Sequence, residues 1–233
     1  MIRIRYVQLA MLLMLAGLMA ALAGCAASQE TAVRGKKALF VGKEGGGDAI
    51  VVKHLKTLGY EVAVVADKEL TAEAAEAYSL VFVSSTVNSG RVGNKLIASK
   101  TPVIYAESQN LGDIGFAGKA TDEDNGDYSG RTVTIRDAKH PMAAGLQGDI
   151  DVYKADGKIG FVVPQGGVIV ASAPDDEKRA VIGAIEKGTA NMSGEAAPAR
   201  RVYFYLVGGE EINQTDHGWK LFEAAVRWAE GEG

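Results

Sequence analysis

The sequence predicts a three-layer α/β/α sandwich on a mainly parallel sheet with an antiparallel extension, and three observations carry that expectation. Short apolar runs recur through the first half, each ending in glycine or a polar residue, as strands buried on both faces do. Segments with helical spacing of apolar residues separate them, and this alternation is the mark of parallel strands joined by crossover helices. From about residue 149 the extended pieces grow shorter and are broken by glycine and Pro164, which suits antiparallel strands at a sheet edge.

The elements follow in order. Ala38-Leu39-Phe40-Val41 predicts a strand stopped by Gly42, and Ile50, Val51, His54, Leu55 and Leu58 predict a helix stopped by Gly59. Tyr60 to Ala66 predicts a second strand, Ala72 to Ala77 a short helix, and Leu80 to Val83 a third strand. A polar loop from Ser84 to Gly90 leads into an expected helix ending near Lys100, and Pro102 opens a fourth strand, Val103 to Ala106. Right-handed crossovers are expected between them. Later strands are expected at Asp151–Lys154, Gly167–Val170 and Ala180–Ile185. Tyr203 and Tyr205 are expected to share one face of the last strand, opposite Phe204, and to lie in the core. Tyr153 and Phe161 are expected to pack beneath a loop; with Gln165 they are the alternative candidates for a face that stacks on sugars.

The amino end speaks to location. Arg3 and Arg5 precede Leu9–Ala23, 15 residues without a polar or charged side chain. As a helix this run rises about 22 Å, short of a hydrocarbon core of about 30 Å, so it fits a signal peptide better than a permanent span. Leu22-Ala23-Gly24-Cys25 contains the only cysteine of the 233 residues. A lone free thiol is unusual in an exported chain. The four residues resemble the lipobox of bacterial lipoproteins, in which the cysteine is lipidated and the chain is cut before it. That resemblance implies a signal peptide over 1–24 and a lipid on Cys25, with a tether over 25–35 and one folded domain over 36–233. It implies an extracytoplasmic envelope protein held to the membrane by lipid, and Ala26 resembles the outer-membrane sorting signal of Gram-negative hosts. A net charge of −4 argues against a nucleic-acid partner.

In open α/β sheets ligands bind beyond the carboxyl ends of the strands. The polar residues expected there are Lys43, Glu44, Asp67, Thr86, Asn88, Glu107 and Ser108. Gly45-Gly46-Gly47 lacks the spacing of a dinucleotide fingerprint and of a phosphate loop, so no nucleotide cofactor is expected. Asp122 to Asp127 alternates oxygen donors like a calcium loop but departs from EF-hand order, so it is expected to be a solvated acidic loop and no metal site is assigned. The histidines of the folded part are His54, expected to pack, His217, expected to be exposed, and His140, before a proline at a strand exit. A hydrolase built from Glu107 or Ser108 with His140 is one alternative these residues leave open.

Thr132-Val133-Thr134-Ile135 followed by His140-Pro141-Met142-Ala143-Ala144-Gly145-Leu146 resembles the strand and H-P-x-x-x-G-L turn of the trehalose-utilisation (ThuA-like) branch of the class I glutamine amidotransferase-like superfamily. The end of the chain, Ala199 to Leu206 and then Gly218-Trp219-Lys220-Leu221-Phe222 and Ala225 to Ala229, is similar to that branch's last strand and closing helix. Leu58-Gly59-Tyr60 and Ser84-Ser85-Thr86 are similar to a subgroup found as modules in exported bacterial proteins with glycan-degrading partners. The resemblance implies a flavodoxin-like sheet. In glutaminase members a cysteine sits on a sharp turn after a central strand. The corresponding turn here is Tyr105 to Asn110, and it holds no cysteine, so the thioester route is closed. A non-catalytic binding or interaction module is therefore expected, for a glycan or an envelope protein, with Lys43, Glu44, Thr86, Asn88, Glu107, Ser108 and His140 as candidate ligand contacts. A purely structural envelope role is the third possibility.

Overall fold

The first predicted strand forms as β1 (Lys36–Val41), and its alternating side chains set the layers of the whole molecule. The structure, a computed structural model, describes residues 36–231; the expected signal peptide, Cys25 and the tether lie outside the described residues. Ala38 and Phe40 point to one face of the sheet and Leu39 and Val41 to the other, each into a separate apolar cluster.

After β1 come α1 (Gly47–Thr57), β2 (Tyr60–Val65), a 3₁₀ turn at Asp67–Glu69, α2 (Ala72–Ala75) and β3 (Leu80–Val83). Then follow α3 (Ser89–Val92), β4 (Val103–Tyr105), α4 (Gln109–Asp113), β5 (Asn125–Gly130), β6 (Thr132–Ile135) and a 3₁₀ turn at Pro141–Ala143. The chain continues with β7 (Gly148–Asp151), β8 (Gly157–Val162), β9 (Val168–Ser172), β10 (Ala180–Ile185), β11 (Arg201–Phe204), a 3₁₀ turn at Glu211–Asn213 and α5 (Asp216–Ala229).

The strands lie in the order β2-β1-β3-β4-β11-β10-β9-β6-β7, with β8 branching from β10 and β5 pairing β8. β2, β1, β3, β4 and β11 are mutually parallel. From β10 onward every pairing is antiparallel, so the expected antiparallel extension is present. One face of the sheet is covered by α1 and α5, where Phe40 stacks on Phe82 at 5.3 Å between centroids and Phe222 meets Phe82 edge-on at 5.8 Å. The other face packs Val81, Val83, Val103 and Tyr105 against Leu70, Ala75, Val92, Leu96 and Leu111. α5 buries Leu221, Phe222, Ala225, Val226, Trp228 and Ala229 along one stripe. Its first turn is closed by the Thr215 hydroxyl, which accepts from the Gly218 N–H at 3.1 Å.

Three expectations need correction. The helix expected to run to Lys100 is only the single turn of α3, because Gly93 takes φ +49° with ψ −134° and leaves helical geometry. The turns beyond it are held by Arg201, 1 % exposed, whose guanidinium donates to the carbonyls of Leu96, Ser99 and Thr101 at 3.2, 2.6 and 3.3 Å. The acidic loop is shorter than expected, since Asn125 already begins β5. Tyr203 and Tyr205 are both in the core but on opposite sides. β11 ends at Phe204, so the alternation fails and Tyr205 stacks beside Phe204 at 4.5 Å.

His54 packs as expected, its ring stacked on Trp219 with centroids 3.5 Å apart, and burial holds its pKa below the ordinary value. His217 is exposed, and Tyr153 and Phe161 are buried. Among the described residues no helix is long and apolar enough to cross a membrane.

Candidate ligand site at the carboxyl ends of the parallel strands

The parallel strands β1 to β4 and β11 end on one edge, and two depressions open there. The first, about 490 Å³, lies over β1, β2 and β3 and is lined by Lys43, Asp67, Lys68, Thr86, Asn88 and Arg91. Three of the expected contact residues, Lys43, Thr86 and Asn88, thus come together. The Lys43 N–H, the Thr86 hydroxyl and the Asn88 side-chain oxygen are already engaged by the protein. Asp48, 1 % exposed, accepts from the Thr86 and Ser84 hydroxyls at 2.6 Å each and from the Lys43 N–H at 2.7 Å. The Asn88 side chain accepts from the Arg91 N–H at 3.2 Å as a helix cap, while its own N–H donates to Asp67 at 2.7 Å. That backbone bond, with Arg91 behind it, holds the Asp67 pKa below the usual range. Glu44 is exposed and lines neither depression.

The glycine run before α1 has a packing reason. A Cβ on Gly47 would lie 1.8 Å from a carboxylate oxygen of Glu211, so only glycine fits there. Glu211 is buried, accepts from the Gly209 N–H at 2.7 Å, and has its pKa raised by burial, with Asp48 adding to the effect. Two protein carboxylates therefore occupy the amino end of α1, where a nucleotide's phosphate would have to sit.

The second depression, about 420 Å³, lies beyond β4 and β11 and is walled by β5 and β8. Glu107 and Ser108, the other expected pair, line it together with Ser85, Asn125, Asp127, Lys158, Gly160 and Tyr203. Burial pushes the Glu107 pKa up to about 7, against the one hydrogen bond it accepts, from the Gln109 N–H at 3.2 Å, with Asp113 adding a smaller upward push. Tyr203 is 1 % exposed and its hydroxyl has no hydrogen-bond partner. Burial raises its pKa far up, so it stays an O–H, and Glu107 and Asp127 add their fields to the effect. A buried hydroxyl left unmade costs about 1–3 kcal/mol, and an unsatisfied group in a native fold calls for a physical reason. Gly160 makes room for the hydroxyl: it stands opposite Asp127 in the β5–β8 register, and a Cβ there would come within 2.6 Å of the Tyr203 hydroxyl.

Sequence patterns gave Glu107 and Ser108 but not Tyr203, Asn125 or Lys158, because these come from strands whose partners are remote in sequence. The one available signal for Tyr203 was a tyrosine in the last parallel strand, where a phenylalanine would serve packing alone.

His140 does not join them. It caps the 3₁₀ turn at Pro141–Ala143, its Nδ1 accepting from the Met142 N–H at 3.2 Å, and its ring packs 5.2 Å from Trp228. Burial lowers its pKa, and the charges that reach it are Asp137, Glu186 and Arg200. Arg200 immediately precedes β11, whereas Tyr203 and the cleft lie toward the far end of that strand, so His140 sits at the opposite edge of the sheet from Glu107 and Ser108. The turn after β4 is also not a strained elbow: Ser108 is in the ordinary right-handed helical region, and Asp122 and Ala144 are the non-glycine residues with positive φ among those described. Among the described residues no group of three or more His, Cys, Asp or Glu side chains is placed to hold a metal ion. In the acidic loop, Asp124 turns inward and accepts from the Ala120 N–H at 2.9 Å.

No family model matches the chain, and no curated protein matches it in sequence. Solved structures do resemble it. A Thermoplasma acidophilum protein assigned to GMP synthase, as one of its subunits, is 14% identical with a TM-score of 0.53, over 82% of this chain and 92% of that one. PurLQS of Thermotoga maritima has 14% identity and a TM-score of 0.49, over 83% of this chain and 99% of that one. A glutamine amidotransferase of the same organism has 12% identity and a TM-score of 0.49, over 84% and 98%. With its five parallel strands, its helices on both faces and the first of these likenesses, the chain has a glutamine amidotransferase-like α/β fold.

Proposed function

We propose that this chain is a lipid-anchored, extracytoplasmic binding protein whose glutamine amidotransferase-like domain holds a small polar ligand in the β4–β11 cleft without covalent chemistry. The observation that carries the proposal is the buried Tyr203 hydroxyl, unpartnered beside Glu107 in a cleft of about 420 Å³. That volume lies within the usual range of small-molecule sites. The absence of cysteine after β4 and the distance of His140 both favour binding over acyl transfer. The anchor is Cys25, by its lipobox resemblance, with the outer membrane as destination if the host is Gram-negative. A glycan of the cell envelope is the ligand class this location favours, and an envelope protein is the alternative partner.

Two experiments test the proposal. Mass spectrometry of the chain purified from a bacterial host is expected to show a diacylglycerol-bearing amino terminus at Cys25 that Cys25→Ala abolishes. A thermal-shift screen of sugars is expected to show a rise with at least one class, since a ligand at a hundredfold its Kd adds about 2.7 kcal/mol. A rise that persists in Tyr203→Phe and Glu107→Gln would place binding outside the cleft and sink the proposal.

A further inference from the structure

The cleft's own charges narrow the ligand class, if the cleft is the ligand site as proposed above. We infer that it takes a hydroxylated organic ammonium compound, the chemistry of an amino sugar, in preference to a neutral sugar or an anion.

Three acidic residues line the space, Glu107 from the turn after β4, Asp122 from the loop before β5, and Asp127 from β5. The cation among the lining residues is Lys158 of β8, and it is committed to Asp127 at 3.3 Å. Asp113 behind Glu107 adds a further negative field and is itself paired to Lys119 at 3.1 Å. Phosphates and carboxylates are repelled by this balance, and an ammonium group is drawn in. A cation beside Glu107 stabilises its ionised form, so the ligand itself removes the penalty of charging a buried carboxyl.

The other polar lining residues carry hydroxyl or amide groups: Ser85, Ser108, Gln109, Thr121, Asn125 and Tyr203. Ser85 is tied to the loop after β11, accepting from the Gly208 N–H at 2.6 Å. Tyr203 stands apart, since its hydroxyl has no partner and is free to donate one hydrogen bond and accept another. The ligand therefore needs hydroxyl groups as well as charge. What the cleft lacks is an open aromatic face: the Tyr203 ring is buried among Tyr105, Phe116 and Leu111. A neutral sugar would find hydrogen bonds here but no ring to stack on, so the carboxyls are the groups that discriminate.

Isothermal titration of the full chain in detergent with glucosamine, N-acetylglucosamine and glucose tests this, at about pH 7, where the amine is still largely charged and Glu107 is about half ionised. Glucosamine is expected to bind at least tenfold more tightly than either neutral sugar. Glu107→Gln and Asp122→Asn are each expected to cut that preference several-fold, and Tyr203→Phe to weaken glucosamine without raising its rivals. Equal or tighter binding of N-acetylglucosamine or glucose, lost in Tyr203→Phe, overturns the ammonium inference and leaves the cleft as a ligand site. Failure of all three sugars to bind at millimolar concentration overturns the inference too. A glucosamine preference untouched by Glu107→Gln, Asp122→Asn and Tyr203→Phe overturns both the inference and the assignment of the cleft.

Discussion

The two depressions at the carboxyl edge of the sheet occupy equivalent places in the topology and differ in how their polar groups are spent. Over β1 to β3, each buried or capping group has a protein partner: Asp48 takes three donors, Asn88 caps α3, and Asp67 holds Asn88 and Arg91. Over β4 and β11, a buried hydroxyl has no partner and a carboxyl is held near neutrality by desolvation. Position in an α/β sheet thus nominates both regions, and hydrogen-bond satisfaction separates them.

The largest effect that would sharpen this contrast is expected from Asp48→Ala. It leaves the buried Ser84 hydroxyl, the half-buried Thr86 hydroxyl and an N–H without their shared acceptor, so denaturant unfolding should show a loss of about 4 kcal/mol. A loss under 1 kcal/mol would mean that the first depression is not held by this network.

Next is Glu107→Gln, read as stability against pH. The folded carboxyl titrates at about 7, above its ordinary 4.5, so its contribution is fully present below pH 4.5 and falls away as pH rises to about 7. At about 1.4 kcal/mol per pH unit, the fall attributable to this group is up to about 3 kcal/mol, and the variant should lack it. Parallel stability curves for both proteins between pH 5 and 8 would show that Glu107 is not desolvated.

Gly47→Ala is expected to cost about 2 kcal/mol through its clash with Glu211, and Glu211→Ala in the same chain should recover part of that loss. The smallest effect carries the opposite sign. Tyr203→Phe removes a hydroxyl that makes no bond, so the ligand-free protein should unfold at equal stability or up to about 1 kcal/mol higher. A clear destabilisation would show that the hydroxyl is satisfied in the free state, and the contrast between the two depressions would fail.

The parallel half was legible in the sequence because its strands are short apolar runs closed by a stop residue, and β3 falls on the expected boundaries; so do β6 and β10 of the antiparallel half. β5 and β8 were not. Asn-Gly-Asp-Tyr-Ser-Gly and Gly-Lys-Ile-Gly-Phe-Val have little local strand preference, and they pair with each other across an intervening 26 residues. The site inherited this division. Glu107 and Ser108 follow a readable strand end, so rule-based placement found them, whereas the wall that makes their loop a cleft comes from the unreadable pair. His140 was misplaced for a related reason: a motif beside a strand does not say which end of the sheet it occupies, and its own turn consumes its Nδ1.

The position of β11 has a kinetic consequence. This strand lies between β4 and β10, and its Arg201 reaches carbonyls 100 to 105 residues earlier in the chain. The parallel half cannot be completed by local pairing, so folding should be slow for the chain's size and should wait for Arg201–Phe204 to arrive. Because Tyr203 rides on that same strand, the cleft comes into being only at the final closure, and a chain that has not yet added β11 carries most of the lining residues but neither Tyr203 nor Val207 to close them into a pocket.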